Sequence, residues 1–195
     1  MFVFISFILA SLIGFIIASI MWFSKTFAKV IDPYLTVLNS LPKVALGPLI
    51  IIWFGANTKS IIFMSLLISL FVTIINIYQG FISVSNNYIV MAKSFGANKR
   101  QIFFKIILPS NITNILSTLK VNISMNLIGV IMGELLVSKK GLGYLIMYGS
   151  QVFNLDLVIS CILILCIISY FKYKIKKLIF LFGCYGLSLH SFSLS

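Results

Sequence analysis

The chain has 195 residues, 61% of them hydrophobic and 9% charged, with mean hydropathy +1.14. A soluble domain carries about 45–50% apolar and about 25% charged residues, so the composition excludes an ordinary soluble fold and indicates an integral membrane protein. Fifteen basic residues stand against Asp32, Glu134 and Asp156, a net charge of +12; in so apolar a chain that excess belongs to short orienting loops, not to nucleic-acid binding, and three acids make acid–base catalysis a poor reading.

Residues 1–24 carry no charge and are closed by Lys25 and Lys29. At about 1.5 Å per residue they are long enough to cross a core of ~30 Å. A signal peptide fits poorly, because no basic region precedes the apolar run. Asp32-Pro33 and Leu41-Pro42 predict breaks, since the residue before proline is pushed out of the helical region. Residues 44–56 form an apolar run that 34–43 extend to spanning length. Trp53 fits an interfacial aromatic and Gly55 a helix C-cap. Asn57 and Ser60 are candidate caps for a span over about 60–80, ending near Gln79-Gly80. Further spans are expected over 111–137 and about 154–171, the last stopped by Lys172, Lys174, Lys176 and Lys177.

The fold expected is therefore all-α: a polytopic membrane protein of about five transmembrane helices, with no soluble domain and no internal repeat. Placing the loop before residue 111 in the cytoplasm puts Lys25, Lys29, Lys43, Lys93, Lys99, Arg100, Lys105 and the four lysines after 171 inside. Lys59, Lys139 and Lys140 then lie outside. That asymmetry follows the positive-inside rule, although it starts residue 1 on the outer face.

Residues 91–109, MAKSFGANKRQIFFKIILP, are the strongly polar island of the chain. Tyr88 to Phe95 reads as a short helix stopped by Gly96, which tolerates a left-handed backbone. Asn98 and Gln101 have the spacing of a capping box for a second helix, which Leu108-Pro109 is expected to break. Phe95, Ile102, Phe103 and Ile106 would give an apolar face, and Lys93, Lys99, Arg100 and Lys105 a basic one. Such an element either docks on another protein or lies on anionic lipid headgroups.

Other residues leave alternatives open. Glu134 near the end of a span is a functional candidate, since an ionisable group in a membrane is costly unless paired or wet; it also fits a solvated interfacial carboxylate. Lys120 within a span points to a subunit interface or a wet pathway. Asn76, Asn122 and Asn126 either line a pathway or bond neighbouring helices, and Ser11, Gly14 and Ser19 fit close helix approach. Cys161, Cys166 and Cys184 have no metal-ligand spacing, and His190 is isolated. No phosphate-binding G-x-x-x-x-G-K-S/T loop is present, so no cofactor, metal or catalytic residue is assigned.

The small residue Ala92, then Gly96, then nine residues and Ile106-x-Leu108-Pro109 resembles the cytoplasmic EAA loop of permease subunits of bacterial binding-protein-dependent ABC importers. Asp32-Pro33, Leu41-Pro42, the run Pro48 to Gly55, Gly133-Glu134 and Gly141-Leu142-Gly143-Tyr144-Leu145-Ile146 resemble the nitrate/sulfonate/taurine branch, and the match extends over roughly 10–175. The resemblance implies a non-enzymatic transport subunit in the bacterial cytoplasmic (inner) membrane. Residues 1–177 would form one permease domain with a coupling loop at 88–109, and 178–195 an atypical apolar tail. It implies a cytoplasmic ATP-binding partner that performs the hydrolysis, a second permease copy in a homodimer, and an extracytoplasmic solute-binding protein, all in contact with membrane lipid. Ala92, Lys93, Gly96, Ala97, Lys99, Arg100, Ile106, Leu108 and Pro109 would couple to the ATPase, and Glu134, Gly141 and Gly143 would lie near the outer gate. The solute would be a small anion such as nitrate, a sulfonate or taurine. Two departures stand out: Val90 occupies the place of the family glutamate and Met91 that of the first alanine, and the chain is expected to lack an N-terminal span. The competing readings are a channel or secondary-transporter subunit without an ATPase, and a truncated remnant that inserts but does not transport.

Overall fold

The computed structural model describes residues 2–138 and 140–170; Lys139, the basic run from Lys172, Cys184, His190 and the tail 178–195 lie outside the described residues. The elements in chain order are α1 (Phe2–Phe23), α2 (Lys25–Ser40), a 3-10 turn (Lys43–Leu46), α3 (Gly47–Phe54), α4 (Thr58–Ile82), α5 (Asn86–Ser94) and α6 (Lys99–Ile102). A π-helical turn (Phe103–Ile107) leads into α7 (Leu108–Ser110), α8 (Ile112–Val137) and α9 (Leu142–Gln151), and α10 (Leu155–Tyr170) follows. Among the described residues there is no strand. Three helices, α1, α4 and α8, are long and apolar enough to cross a membrane, and four segments are if α2 and the stretch Lys43–Phe54 together form one broken span. The chain is an all-α, multi-pass membrane protein.

The described residues divide into two compact units, one up to Ser138 and one after it. In the first, α4 packs between α1 and α8. The face of α1 that meets α4 is a row of small residues, Ser6, Ala10, Gly14 and Ala18, all buried. Its opposite face, Phe4, Ile8, Leu12 and Ile16, is exposed and apolar. That division suits a bilayer, where lipid is as apolar as leucine and helices associate by close backbone approach. On α8, Gly133 lies so near α4 that a Cβ there would stand 3.0 Å from Ile61 Cα, and a Cβ on Gly129 would press on the backbone of Ser65.

Polar side chains join the same three helices. The amide nitrogen of Asn126 donates to the carbonyl of Asn122 at 2.8 Å, and the Ser69 hydroxyl donates to Asn126 Oδ1 at 3.2 Å. Ser65 Oγ lies 3.0 Å from both Asn126 Oδ1 and Ser6 Oγ, and Asn122 Nδ2 donates to Ser11 Oγ at 2.9 Å. Asn122 and Asn126 are fully buried, so of the two roles open in the sequence they bond neighbouring helices. Asn76 contributes its backbone carbonyl, which accepts from Asn114 Nδ2 at 3.1 Å. Ser19 bonds within its own helix, to Phe15 O.

Two expected breaks do not occur. Pro33 lies inside α2. Ala28 before it and Leu35 after it are both buried in one cluster with Met21 and Ile74, and a break would pull one of them off. Pro109 is likewise inside helical backbone. The preceding turn widens to a π turn, in which the Leu108 amide donates to Phe103 O. The Ser110 hydroxyl and Asn111 Nδ2 donate to Ile106 O and Ile107 O, at 2.7 and 2.9 Å. A π turn and side chains bonded into the carbonyl ladder are recognised ways for a helix to absorb such a disruption.

The break at Leu41-Pro42 does occur. Leu41 is extended (ψ 139°), and the helices on either side meet at 84°. Lys43 follows this corner. Its ammonium donates to Asn39 O at 2.8 Å and sits 5.8 Å from the ring centroid of Phe71, midway along α4. It is half-buried and packs against α4 instead of standing free in a loop, because the bend turns it toward that helix. Gly55 caps α3 (φ 77°, its amide donating to Ile51 O), and Asn57 caps α4 through Lys59 N at 3.1 Å. The helix α4 runs on past Gln79-Gly80 to Ile82.

In the second unit, α9 begins after Gly141 (φ 116°) and turns at Phe153 into α10. Gly149 packs against Val158 and Leu157 across that turn. The described part of the fifth expected span is α10, 16 residues long.

Candidate functional site

The loop between α4 and α8 is built from local rules. Ser85 caps α5, its hydroxyl accepting from Asn87 N at 3.4 Å. At the other end the Ala97 amide donates to Ala92 O at 3.0 Å and the Gly96 amide to Lys93 O at 2.9 Å. This pair of bonds is a Schellman cap, with Gly96 in the left-handed position (φ 77°) that glycine takes without strain. The Asn98 amide then donates to Gln101 Oε1 at 2.8 Å and starts α6. The two expected helices therefore meet at the Gly96 elbow.

The inner side of this element is tied to the spanning helices. Ala92, Ile102, Phe103 and Ile107 are buried in one cluster with Ala18 of α1 and Ile77 and Phe81 of α4. Phe103 is the hub. Its ring centroid lies 5.1 Å from Trp22, 5.0 Å from Phe23 and 5.4 Å from Phe81, the last edge-to-face. Aromatic pairs in such geometry contribute about 0.5–1.5 kcal/mol each beyond area burial. Lys93, Lys99, Arg100 and Lys105 are all exposed; of these, Lys93 and Lys99 also border a cavity against the end of α1 and the start of α2.

One expected member of the apolar face is misplaced. Phe95 is 84% exposed at the elbow, because the Schellman turn points it away from the helices; Ile107 takes the inner place instead. Ile106 and Leu108 are half-buried against the cluster, Ala97 is half-buried beside it, and Gly96 and Pro109 are exposed. Phe103 lies on the inner face as expected and its neighbour Phe104 is 61% exposed, but the sequence reading did not single Phe103 out from the other members of that face as the anchor. The available signal was the set of aromatics at the ends of two spans, Trp22, Phe23 and Phe81.

Glu134 lies in the last turns of α8 and is half-buried, and the Ser138 amide donates to its carbonyl at 3.1 Å. Gly133 packs on Ile61, near the start of α4, so Glu134 is at the opposite end of this unit from the loop. Gly141 and Gly143 belong to the second unit, Gly141 exposed before α9 and Gly143 buried within it. Among the described residues no three His, Cys, Asp or Glu side chains gather into a metal site.

The family described as "Binding-protein-dependent transport system inner membrane component" matches residues 10–176. A Haemophilus influenzae relative named as an ABC transporter permease protein is 32% identical over 162 residues, 83% of this chain and 66% of the relative. A formylaminopyrimidine transport permease protein of Halalkalibacterium halodurans is 29% identical, over 70% of this chain and 54% of its own length. A Bacillus subtilis relative named as an aliphatic sulfonates transport permease protein is 30% identical, over 85% and 60%. The chain thus spans between about half and two thirds of the length of these relatives.

Proposed function

Since the chain belongs to the binding-protein-dependent transport system inner membrane components, we propose that it is the membrane-spanning permease subunit of an ABC-type importer in a bacterial cytoplasmic membrane. Residues 1–177 act as one permease domain. Two copies flank the solute pathway, a separate cytoplasmic subunit hydrolyses ATP, and a solute-binding protein delivers cargo to the outer face. The loop 88–109 is the coupling element, formed by Ala92, Lys93, Gly96, Ala97, Lys99, Arg100, Ile106, Leu108 and Pro109, and Glu134 with Gly141 and Gly143 serves the outer gate.

The observation that supports this most is the two-sidedness of the loop. A helix–elbow–helix that only reversed the chain would need neither an aromatic hub on its inner side nor four exposed cations. Phe103 links the loop to α1 and α4, so a push on the exposed face moves two spanning helices. Val90, where the family glutamate would stand, is 54% exposed. Docking at that point rests on apolar contact with the partner, and the cations supply the charge.

For the solute we favour a small anion of the sulfonate or taurine kind, supported by relatives named for aliphatic sulfonates and for taurine. The test of the coupling role is co-purification in detergent with the ATP-binding subunit of the same transport system. The expected result is a stable complex that Arg100→Glu dissolves. Retention of the ATPase by that variant with undiminished ATP-dependent uptake would remove the coupling role, and solute flux with no nucleotide would favour a channel or carrier.

A further inference from the structure

A cavity of about 470 Å³ lies beneath the elbow, between the end of α1, the start of α2, the end of α4 and the loop helices. Four cations line it: Lys25 and Lys29 from α2, Lys93 from α5 and Lys99 from α6. All four are exposed. The acid in this neighbourhood is Asp32, which acts electrostatically on Tyr78, itself a lining residue. Four lysines against one carboxylate leave an excess of positive charge around the mouth of an open cavity. The remaining walls are amphipathic or apolar, with Trp22 and Tyr78 at the level where spanning helices end, and Ile82, which is 57% exposed, at the lip.

We propose that this cavity is a binding site for the phosphodiester headgroup of an anionic phospholipid, with the acyl chains leaving past Ile82 along the apolar exterior of the helices. Basic pockets between helices on one side of a membrane have the chemistry to hold such headgroups, and Trp and Tyr sit well at that depth. A free phosphate would satisfy the lysines but would gain nothing from the apolar lip, and this favours the lipid. Because Lys25 and Lys29 come from the α1–α2 side and Lys93 and Lys99 from the loop, a bound headgroup bridges the two. Lipid composition would thereby set how firmly the loop is held.

The test uses the full chain with Trp53→Phe, leaving Trp22 as the single tryptophan. Reconstitution into phosphatidylcholine vesicles containing brominated phosphatidylglycerol should quench Trp22 more than the same fraction of brominated phosphatidylcholine. Lys25→Gln/Lys29→Gln should lower that preference roughly thirtyfold, while Lys59→Gln at the far end of α4 should leave it unchanged. Equal quenching by the two lipids, or a preference that survives the double variant, overturns the proposal. Loss of the preference on adding inorganic phosphate at constant ionic strength assigns the site to a free anion and overturns it too. Should the double variant fail to insert, the wild-type preference must still weaken with salt; a salt-independent preference counts against the site. Neither lysine substituted belongs to the coupling loop, so failure here leaves the ATPase reading standing, and the reverse.

Discussion

The Ala97 amide reaches back to the Ala92 carbonyl at 3.0 Å, and this bond can close only if the residue between them and next to Ala97, Gly96, is left-handed. The spacing of the two small residues around the glycine is thus the covalent form of one capping motif. Nothing lies within 4 Å of a Cβ placed on Gly96, so substitution there acts through the backbone alone. Gly96→Ala should destabilise the loop by about 1–2 kcal/mol, and Gly96→Asn by less, because asparagine tolerates the left-handed region. Hydrogen exchange at the amides of residues 96 and 97 reads the difference. Equal protection in all three proteins would mean the cap does not hold the elbow.

Much of this geometry was legible because it is local. Gly55, Asn57, Gly96 and the Asn98–Gln101 pair all carry out the caps their types predict. The prolines were read less well, since a proline's cost is local but what outweighs it is not. Leu35 and Ala28 hold α2 through Pro33 from a distance in sequence, and a π turn accommodates Pro109. Asn122 and Asn126 were ambiguous for the same reason: a polar residue in a span needs a partner, but the sequence does not say whether that partner is water or Ser11 and Ser65. The packing of Lys43 on Phe71 was not legible because the 84° bend after Leu41 has no signature beyond the proline.

Asn126 joins α4 and α8 through Ser65, Ser69 and Asn122. Asn126→Ala removes the side-chain amide that ties Ser65 and Ser69 of α4 to α8, leaving Ser65 with Asn126 O and Ser6 Oγ and Ser69 with Ser65 O. Interhelical hydrogen bonds in membranes average about 0.6 kcal/mol and reach about 1.7, so a loss of about 1–2 kcal/mol is expected in a reversible detergent unfolding titration. Ser19→Ala, which removes a bond only to its own helix at Phe15 O, should stay within about 0.5 kcal/mol of wild type. If the two variants are equally stable, the polar ladder is not what joins the helices.

Phe103 separates docking from transmission. Its ring is 2% exposed and offers the partner no surface, yet it touches Trp22, Phe23 and Phe81. Phe103→Leu keeps an apolar anchor and loses the aromatic contacts, about 0.5–1.5 kcal/mol apiece. The expected phenotype is retention of the ATP-binding subunit with reduced uptake per ATP hydrolysed. Loss of the complex itself would mean that Phe103 supports the fold of the docking face, and unchanged coupling would mean that force passes by another route.

In the second unit the chain repeats the elbow's cap with the wrong residue. The Asn154 amide donates to Gly149 O at 2.8 Å and the Phe153 amide to Ser150 O at 3.4 Å, and Phe153 takes the left-handed position at φ 55°. A bulky side chain there costs about 1–2 kcal/mol relative to glycine, and the ring, 89% exposed, makes no packing return within the unit. Asn154 also caps α10 through Leu157 N at 3.1 Å, so the turn is otherwise well made. Phe153→Gly should therefore stabilise the turn by about 1 kcal/mol, seen as slower proteolysis or exchange between α9 and α10. A destabilised Phe153→Gly protein would show that the ring is held against lipid or a partner, and that the strained backbone is the cost of presenting it.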